Sequence, residues 1–327
     1  MFYFLWCLAA QRKGMVINMK TELLHFAGAN NYLLPACIWS PEGPVRMVLQ
    51  VIHGMTEHMG RYALLAEKLT AQGIAVACFD LRGHGQNPGD PTCAAFPETG
   101  WSDSLTDMHL FYQFLEGMFP GVPHTMLGFS LGSFLLRDYL SHTSDPVAAA
   151  IIAGSGTQPA PVLWVLKKIV RGQIKKYGFT YPAPLVQKLL FGVYNQKFKP
   201  NRTSSDWLTG DNDQLDDYLA DPLCRKTISS GLCWILMDAI QRTGTLKALS
   251  SWPKDLPVLL LGGMDDPVGN MGKGMHPVFH LMQKAGLKKS RLLLLPGARH
   301  DILHEISSGA ETRATQAILA LLESTMV

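Results

Sequence analysis

The stretch Thr125-Met126-Leu127-Gly128-Phe129-Ser130-Leu131-Gly132 constrains this chain more than any other. A short apolar run, read as a strand, leads into Gly-x-Ser-x-Gly, and Leu131 to Leu140 reads as a helix. A strand that gives way to a helix so abruptly turns tightly enough that backbone and Cβ atoms crowd, so glycine is needed on both flanks. A serine held at such a turn has its hydroxyl lifted clear of the sheet, where a base and a ligand can reach it. Read alone, the motif is equally a polar turn built from common residues. The rest of the chain decides between the two.

Strand-like segments recur at Glu22–Phe26, Asn31–Trp39, Arg46–Ile52, Ile74–Asp80, His124–Phe129, Ala148–Ala153, Pro257–Gly262 and Arg291–Leu295. Helical patterns fall at Tyr62–Gln72, Ser104–Met118, Leu131–Ser141, His276–Ala285 and Ala310–Leu322. The first strands look like a hairpin. From Arg46 onward strands and helices alternate, which predicts a mainly parallel sheet covered on both faces. Val258 to Leu261 and Leu292 to Leu295 are unbroken apolar runs, as expected of central strands buried on both sides.

The rhythm breaks between about Gly156 and Thr245, where a mostly helical insertion is expected to cover the site. The expected layout is an N-terminal extension 1–18, a first core part 19–155, a cap 156–245 and a second core part 246–327. Within the cap, Pro161 to Pro200 carries Lys167, Lys168, Arg171, Lys175, Lys176, Lys188, Lys197 and Lys199 with no acidic residue. Asp206, Asp211, Asp213, Asp216, Asp217 and Asp221 follow. A basic amphipathic helix is expected there, solvated or in peripheral contact with an anionic membrane.

At 327 residues, 47% hydrophobic and 17% charged, the chain can bury the core of one large α/β domain with an insertion. A net charge of +3 and the lack of any nucleic-acid-binding signature argue against nucleic acid as a partner. Cys7, Cys37, Cys78, Cys93, Cys224 and Cys233 form no C-x-x-C pair, a usage that fits reduced thiols in the cytoplasm. Met1 to Ala10 is apolar but too short to span a bilayer. Met15 or Met19 is the expected start of the domain. Nothing in the sequence speaks to oligomeric state.

A serine hydroxyl is a weak nucleophile near neutral pH and needs a base, which itself needs an orienting group. The chain places one candidate for each role just after a strand: Ser130, Asp265 in Gly262-Gly263-Met264-Asp265-Asp266-Pro267, and His300 in Pro296-Gly297-Ala298-Arg299-His300-Asp301. Three strand ends put all three on one edge of the sheet, where open α/β folds bind ligands. Asp266 competes with Asp265. Its neighbour Pro267 marks Asp266 as the start of the next turn, so Asp265 is the expected orienting carboxylate. His300 and His304 lie four apart, but His-Asp-Ile-Leu-His lacks the glutamate of H-E-x-x-H, so neither a metal nor a cofactor is expected. His53-Gly54-Met55-Thr56-Glu57-His58 follows the strand Arg46–Ile52. The backbone N–H groups of Met55 and Leu131 are the expected donors to an oxyanion. Asp80-Leu81-Arg82-Gly83-His84-Gly85 is expected to build a tight loop near the same edge.

Taken together, His53-Gly54-x-x-Glu57-His58-x-x-Arg61-Tyr62, Asp80-x-Arg82-Gly83-His84-Gly85, Gly128-x-Ser130-x-Gly132, Gly262-x-x-Asp265 and His300 resemble the monoacylglycerol lipase and lysophospholipase family, grouped with the serine aminopeptidases. The resemblance runs in order from about Lys20 to the end. The stretch from Asn195 through Asp206-Trp207-Leu208 to Asp221-Pro222 resembles caps of a bacterial branch. It implies an α/β-hydrolase fold, with a mostly parallel eight-stranded sheet and a helical cap. It also implies hydrolysis of a fatty-acyl ester through an acyl-enzyme on Ser130, with His300 as base and then acid. Phe129 departs from the pattern, standing where the lipases often carry histidine. The expected substrate is a small acyl ester or lipid with one chain, a monoacylglycerol or a lysophospholipid. The alternatives are an aminopeptidase, for which the cap aspartates would hold a substrate ammonium, and a ligand-binding protein that has lost turnover.

Overall fold

Met19–Ala27 (β1) and Leu33–Pro41 (β2) pair antiparallel along their whole length, Met19 opposite Pro41 and Ala27 opposite Leu33. The structure is a computed structural model that describes residues 19–225 and 227–326. The N-terminal extension expected at 1–18 therefore lies outside the described residues. Then follow Met47–Ile52 (β3), Ile74–Phe79 (β4), Cys93–Ala94 (β5), His124–Phe129 (β6), Val147–Ala153 (β7), Thr227–Ile228 (β8), Val258–Gly263 (β9) and Ser290–Leu295 (β10). Eight of them form one sheet in the order β1-β2-β4-β3-β6-β7-β9-β10. Beyond the antiparallel β2–β4 pair, every neighbour is parallel.

This order sets where chemistry can occur. The chain runs outward from β3 to β4 and then returns to the other side of β3 as β6. Loops leaving β3 and β6 therefore diverge, and the carboxyl ends of these strands open a crevice. Ile52 and Gly128 are register partners, so both strands end at the same level.

Each strand sends alternate side chains to opposite faces. Val48 and Ile52 of β3 join the core under the helices Gly100–Met118, Leu131–Tyr139 and Met275–Lys284. Met47, Leu49 and Val51 join the opposite core, under Ala63–Thr70 and Ala310–Glu323. Val258 to Leu261 of β9 are fully buried, as their apolar run predicts. Leu292 to Leu294 of β10 are only partly buried, because β10 is the edge strand and not a central one.

Between β7 and β9 lie the helices Ala160–Tyr177, Pro184–Asn195, Asn212–Ala220 and Ser230–Thr243. The fully buried Arg137 donates to Ser155 Oγ, Gly156 O and Thr243 O, tying together the two ends of this insertion. A second tie is the short pairing of β8 with β5. No helix among the described residues is long and apolar enough to cross a membrane. All five described cysteines are buried thiols.

Candidate active site

Ser130 sits between β6 and its helix with φ 49° and ψ −113°, a strained conformation that few side chains adopt. Its N–H is held by Ala153 O at 3.0 Å. A Cβ at Gly128 would lie 2.3 Å from Gly132 O, and one at Gly132 would lie 2.0 Å from Ile52 O. Both glycines are thus required by backbone passing against backbone, as the motif predicts.

His300 follows β10 and faces the elbow. Its Nε2 lies 2.9 Å from Ser130 Oγ and its Nδ1 lies 3.0 Å from Asp266 Oδ2. A carboxylate can only accept, so Nδ1 carries the proton and Nε2 presents its lone pair to the serine hydroxyl. The imidazole is wedged between Phe129 and Trp207, with ring centroids 5.2 and 5.4 Å away. Burial works against the imidazolium, but the Asp266 charge and its hydrogen bond outweigh that, and the His300 pKa is raised above its ordinary value.

The sequence expectation for the orienting carboxylate is corrected here: Asp266, not Asp265, meets His300. Asp265 lies in the turn just after β9, half-buried, with its N–H bonded to Ala298 O, while both nitrogens of His300 are taken by Asp266 and Ser130. At Asp266 the chain turns. Its Oδ1 accepts from Val268 N at 2.8 Å, which closes a side-chain turn and leaves Oδ2 aimed at the histidine. Pro267 does mark the start of a turn, and the turn is what pins the carboxylate.

Of the expected oxyanion donors, Leu131 opens the helix Leu131–Tyr139, where N–H groups have no intrahelical partner. Met55 follows His53-Gly54. The wholly buried His53 fixes that loop: it accepts from Leu81 N at 2.9 Å through Nε2, so Nδ1 carries the proton and donates to Gly54 O at 2.7 Å. Glu57 accepts from Gly54 N, Tyr62 Oη and Arg61 Nη1, and Arg61 also grips Asp301 at 2.6 Å. Burial opposes ionisation of Asp301, but Arg61 and His304 outweigh it and hold its carboxyl well below the usual carboxylate range. Both ring nitrogens of His304 face acceptors of this network, Nδ1 the Asp301 carboxylate and Nε2 the Arg61 carbonyl. His58, Asp221 and Cys224 also converge, with ligand-type atoms within 4.8 Å. There His58 Nδ1 accepts from Gly60 N, which leaves Nε2 protonated and donating to Asp221, a state unsuited to ligating a cation through that nitrogen.

Ser130, His300 and Met55 line two cavities. The larger, about 320 Å³, runs beneath the insertion and is apolar, walled by side chains such as Phe134, Leu163, Leu166, Leu236, Met237 and Ile240. The smaller, about 30 Å³, shares Met55, Ser130, Trp207 and His300 with the first and reaches the polar side chains of Thr56, Arg61 and Tyr218. The first is the size of a small-molecule pocket and the second has room for a water.

Residues 43–307 match the family described as serine aminopeptidase, S33. The chain belongs to this family. Within its curated relatives it is 23% identical over 303 residues to a monoacylglycerol lipase of Mycolicibacterium smegmatis, covering 89% of this chain and 94% of that one. It is 26% identical over 293 residues to the human monoglyceride lipase, covering 87% and 84%. Among solved structures, a carboxyl esterase from Bacillus coagulans aligns with a TM-score of 0.83 at 22% identity, covering 94% of this chain and 100% of that one. A monoglyceride lipase from Saccharomyces cerevisiae aligns with a TM-score of 0.75 at 17% identity, covering 96% and 98%. These likenesses show that the fold is that of an α/β-hydrolase.

For this S33 member the structure turns Asp266 from the rival carboxylate into the partner of His300, and adds residues that the sequence left without a role: Glu57, Arg61, Asp301, Trp207 and Tyr218. Glu57 and Arg61 stand inside the motif after β3, so spacing could have flagged them. Trp207 and Tyr218 belong to the insertion, and no local pattern announces that they fold back onto the crevice.

Proposed function

We propose that this protein is a serine hydrolase that cleaves carboxylic esters of single-chain lipids through an acyl-enzyme. The observation that carries the reading is the His300 bridge between Ser130 Oγ and Asp266 Oδ2 at the edge of an apolar cavity. Ser130 Oγ attacks the ester carbonyl while His300 Nε2 takes its proton. The N–H groups of Met55 and Leu131 receive the oxyanion. The tetrahedral intermediate collapses, His300 returns the proton to the departing alcohol, and the acyl group stays on Ser130. A water activated by the same Nε2 then releases the fatty acid. The acyl chain occupies the apolar cavity, and the insertion 156–245 acts as the cap that roofs it.

Ester cleavage is favoured over aminopeptidase chemistry because, of the aspartates that would hold an ammonium, Asp213, Asp216 and Asp217 are exposed and the other three have structural duties. Asp206 accepts from Arg202 N and Thr203 N, Asp211 caps the helix Asn212–Ala220, and Asp221 meets His58. The wall of the apolar cavity includes no acidic residue.

Lipid is the expected partner in a further sense. Leu185, Leu189 and Val193 recur at helical spacing and are solvent-exposed, as are Val162, Val165 and Trp164 on the preceding helix. Leu189, Val193 and Val162 also line the cavity, so its rim is an exposed apolar surface flanked by the basic residues of 167–199. This rim suits a lipid surface with anionic head groups. The buried, unlinked thiols fit a cytoplasmic setting.

The test is turnover of p-nitrophenyl acyl esters, monoacylglycerols, lysophospholipids and aminoacyl amides by purified wild type and Ser130→Ala, with fluorophosphonate labelling alongside. Wild type should be labelled and cleave esters, and Ser130→Ala should do neither. Ester turnover retained by Ser130→Ala would remove the assignment.

A further inference from the structure

Thr56 is the residue immediately after the proposed donor Met55, and its φ is 62°. A β-branched residue in the left-handed region is strained by about 1–2 kcal/mol and stays there only when its surroundings hold it. Its side chain shows how it is held. Thr56 Oγ1 donates its one proton to Met55 O at 2.6 Å, so it must accept from the Tyr218 hydroxyl at 2.9 Å. Tyr218 belongs to the insertion helix Asn212–Ala220, and its ring lies 5.2 Å from the Arg61 guanidinium, itself anchored by Glu57 and Asp301. A second tie joins the same pieces one turn on, where His58 Nε2 donates to Asp221 Oδ2 at 2.8 Å.

We infer that Tyr218 is a positioning residue for the reaction proposed above: its hydroxyl holds Thr56 left-handed and so aims the Met55 N–H at the oxyanion. The relay runs from the insertion, through Thr56 Oγ1, to the Met55 carbonyl, and so fixes Met55 from the side opposite the Gly54–Met55 peptide that carries the N–H. The insertion thus completes the electrostatic half of the site as well as roofing the cavity. Tyr218 also borders the smaller cavity, so a direct contact with the departing alcohol is the rival account, and the test separates the two.

Glycine adopts positive φ without strain and without a hydroxyl to hold it. The experiment compares wild type, Tyr218→Phe, Thr56→Gly and Tyr218→Phe/Thr56→Gly as full chains, measuring kcat and KM on a p-nitrophenyl ester, fluorophosphonate labelling and Tm. Tyr218→Phe should lower kcat about tenfold with KM changed less than about twofold, the scale of one lost hydrogen bond felt in the transition state. Thr56→Gly cuts the same relay without introducing strain and should lower kcat by no more than Tyr218→Phe does, and adding Tyr218→Phe to it should change nothing further. The inference is overturned if Tyr218→Phe matches wild type, or if it costs the same on the Thr56→Gly background, since a direct substrate contact would persist there. It is also overturned if kcat falls only in step with Tm. If wild type neither turns over esters nor takes the probe, the hydrolase reading itself has failed and this one with it, a result distinct from the others because no variant is then needed to see it.

Discussion

Asp266 and Asp265 are adjacent, chemically identical and only one bond rotation apart in their consequences. Asp266 is buried with both oxygens engaged, one by Val268 N and one by His300 Nδ1. Asp266→Asn should lower kcat/KM by roughly 10³–10⁴, because an amide can stabilise the wrong imidazole tautomer. Asp265→Asn should stay within about threefold, since both nitrogens of His300 are already engaged by Asp266 and Ser130. Steady-state kinetics on a soluble ester checks the pair, and the reverse order would return the role to Asp265. The pH profile belongs to the same scale. His300 must be neutral to accept the serine proton, so activity rises with pH as it deprotonates. Its raised pKa puts the half-maximum of kcat/KM above the 6.5 of an unperturbed histidine. A half-maximum below that value would contradict the Asp266 interaction as its cause.

At the scale of elements, the elbow and the insertion helices make opposite demands. The elbow works by exclusion of atoms: a Cβ on Gly132 would meet both Ile52 O at 2.0 Å and His53 O at 2.7 Å, backbone that cannot move without disturbing β3. Gly132→Ala should cost about 3 kcal/mol in urea unfolding and most of the activity. Gly172 lies inside the helix Ala160–Tyr177 with open space where its Cβ would be. Gly172→Ala should therefore stabilise by about 0.5–1 kcal/mol in the same assay. The two insertion helices that rim the cavity expose apolar residues that have no role in stabilising the core. Trp164→Ser with Leu185→Ser should weaken co-sedimentation with phosphatidylglycerol vesicles about tenfold while leaving kcat on a soluble short-chain ester unchanged. Equal binding by the variant would show that the rim is not the lipid contact.

For the whole molecule, three histidines buried in the fold tie stability to pH. Burial pushes the pKa of His53 and of His84 down to about 3 and that of His124 down to about 4. All three are neutral in the folded state and take up protons on unfolding once pH falls below their ordinary value. The unfolded state binds more protons throughout that window, so stability is full above about pH 6.5 and declines toward pH 3. The slope is about 1.4 kcal/mol per pH unit for each proton taken up. His84 offers a clean measurement, because its Nδ1 donates only to Arg82 O and its Nε2 has no partner. His84→Asn should flatten the fall in unfolding free energy between pH 6 and 4 by about that amount. An unchanged slope would mean that His84 is charged in the fold.

What was legible in the sequence was whatever depends on near neighbours. Strand and helix positions followed from apolar period and run length, and the Ser130 turn followed from glycine flanking a sharp reversal. The match of Ser130 with His300 followed from both lying at strand ends. The carboxylate that meets His300 did not follow, because the choice between Asp265 and Asp266 depends on which way the chain rotates as it leaves β9. That rotation is set by contacts with the loop after β10, some 30 residues away. Likewise the apolar run in β10 could not reveal that the strand is an edge, since edge and centre differ only in what packs alongside. Trp207 against His300 and Tyr218 against Thr56 came from the fold alone, for the insertion reaches them across about 90 and 160 residues. By itself the sequence determined the repertoire of elements and the residue types available for chemistry, since those are short-range properties of the chain. Only the tertiary structure decided which carboxylate, which aromatic ring and which hydroxyl meet the reacting atoms, because hydrogen bonds of about 3 Å depend on distances that no pattern along the chain encodes.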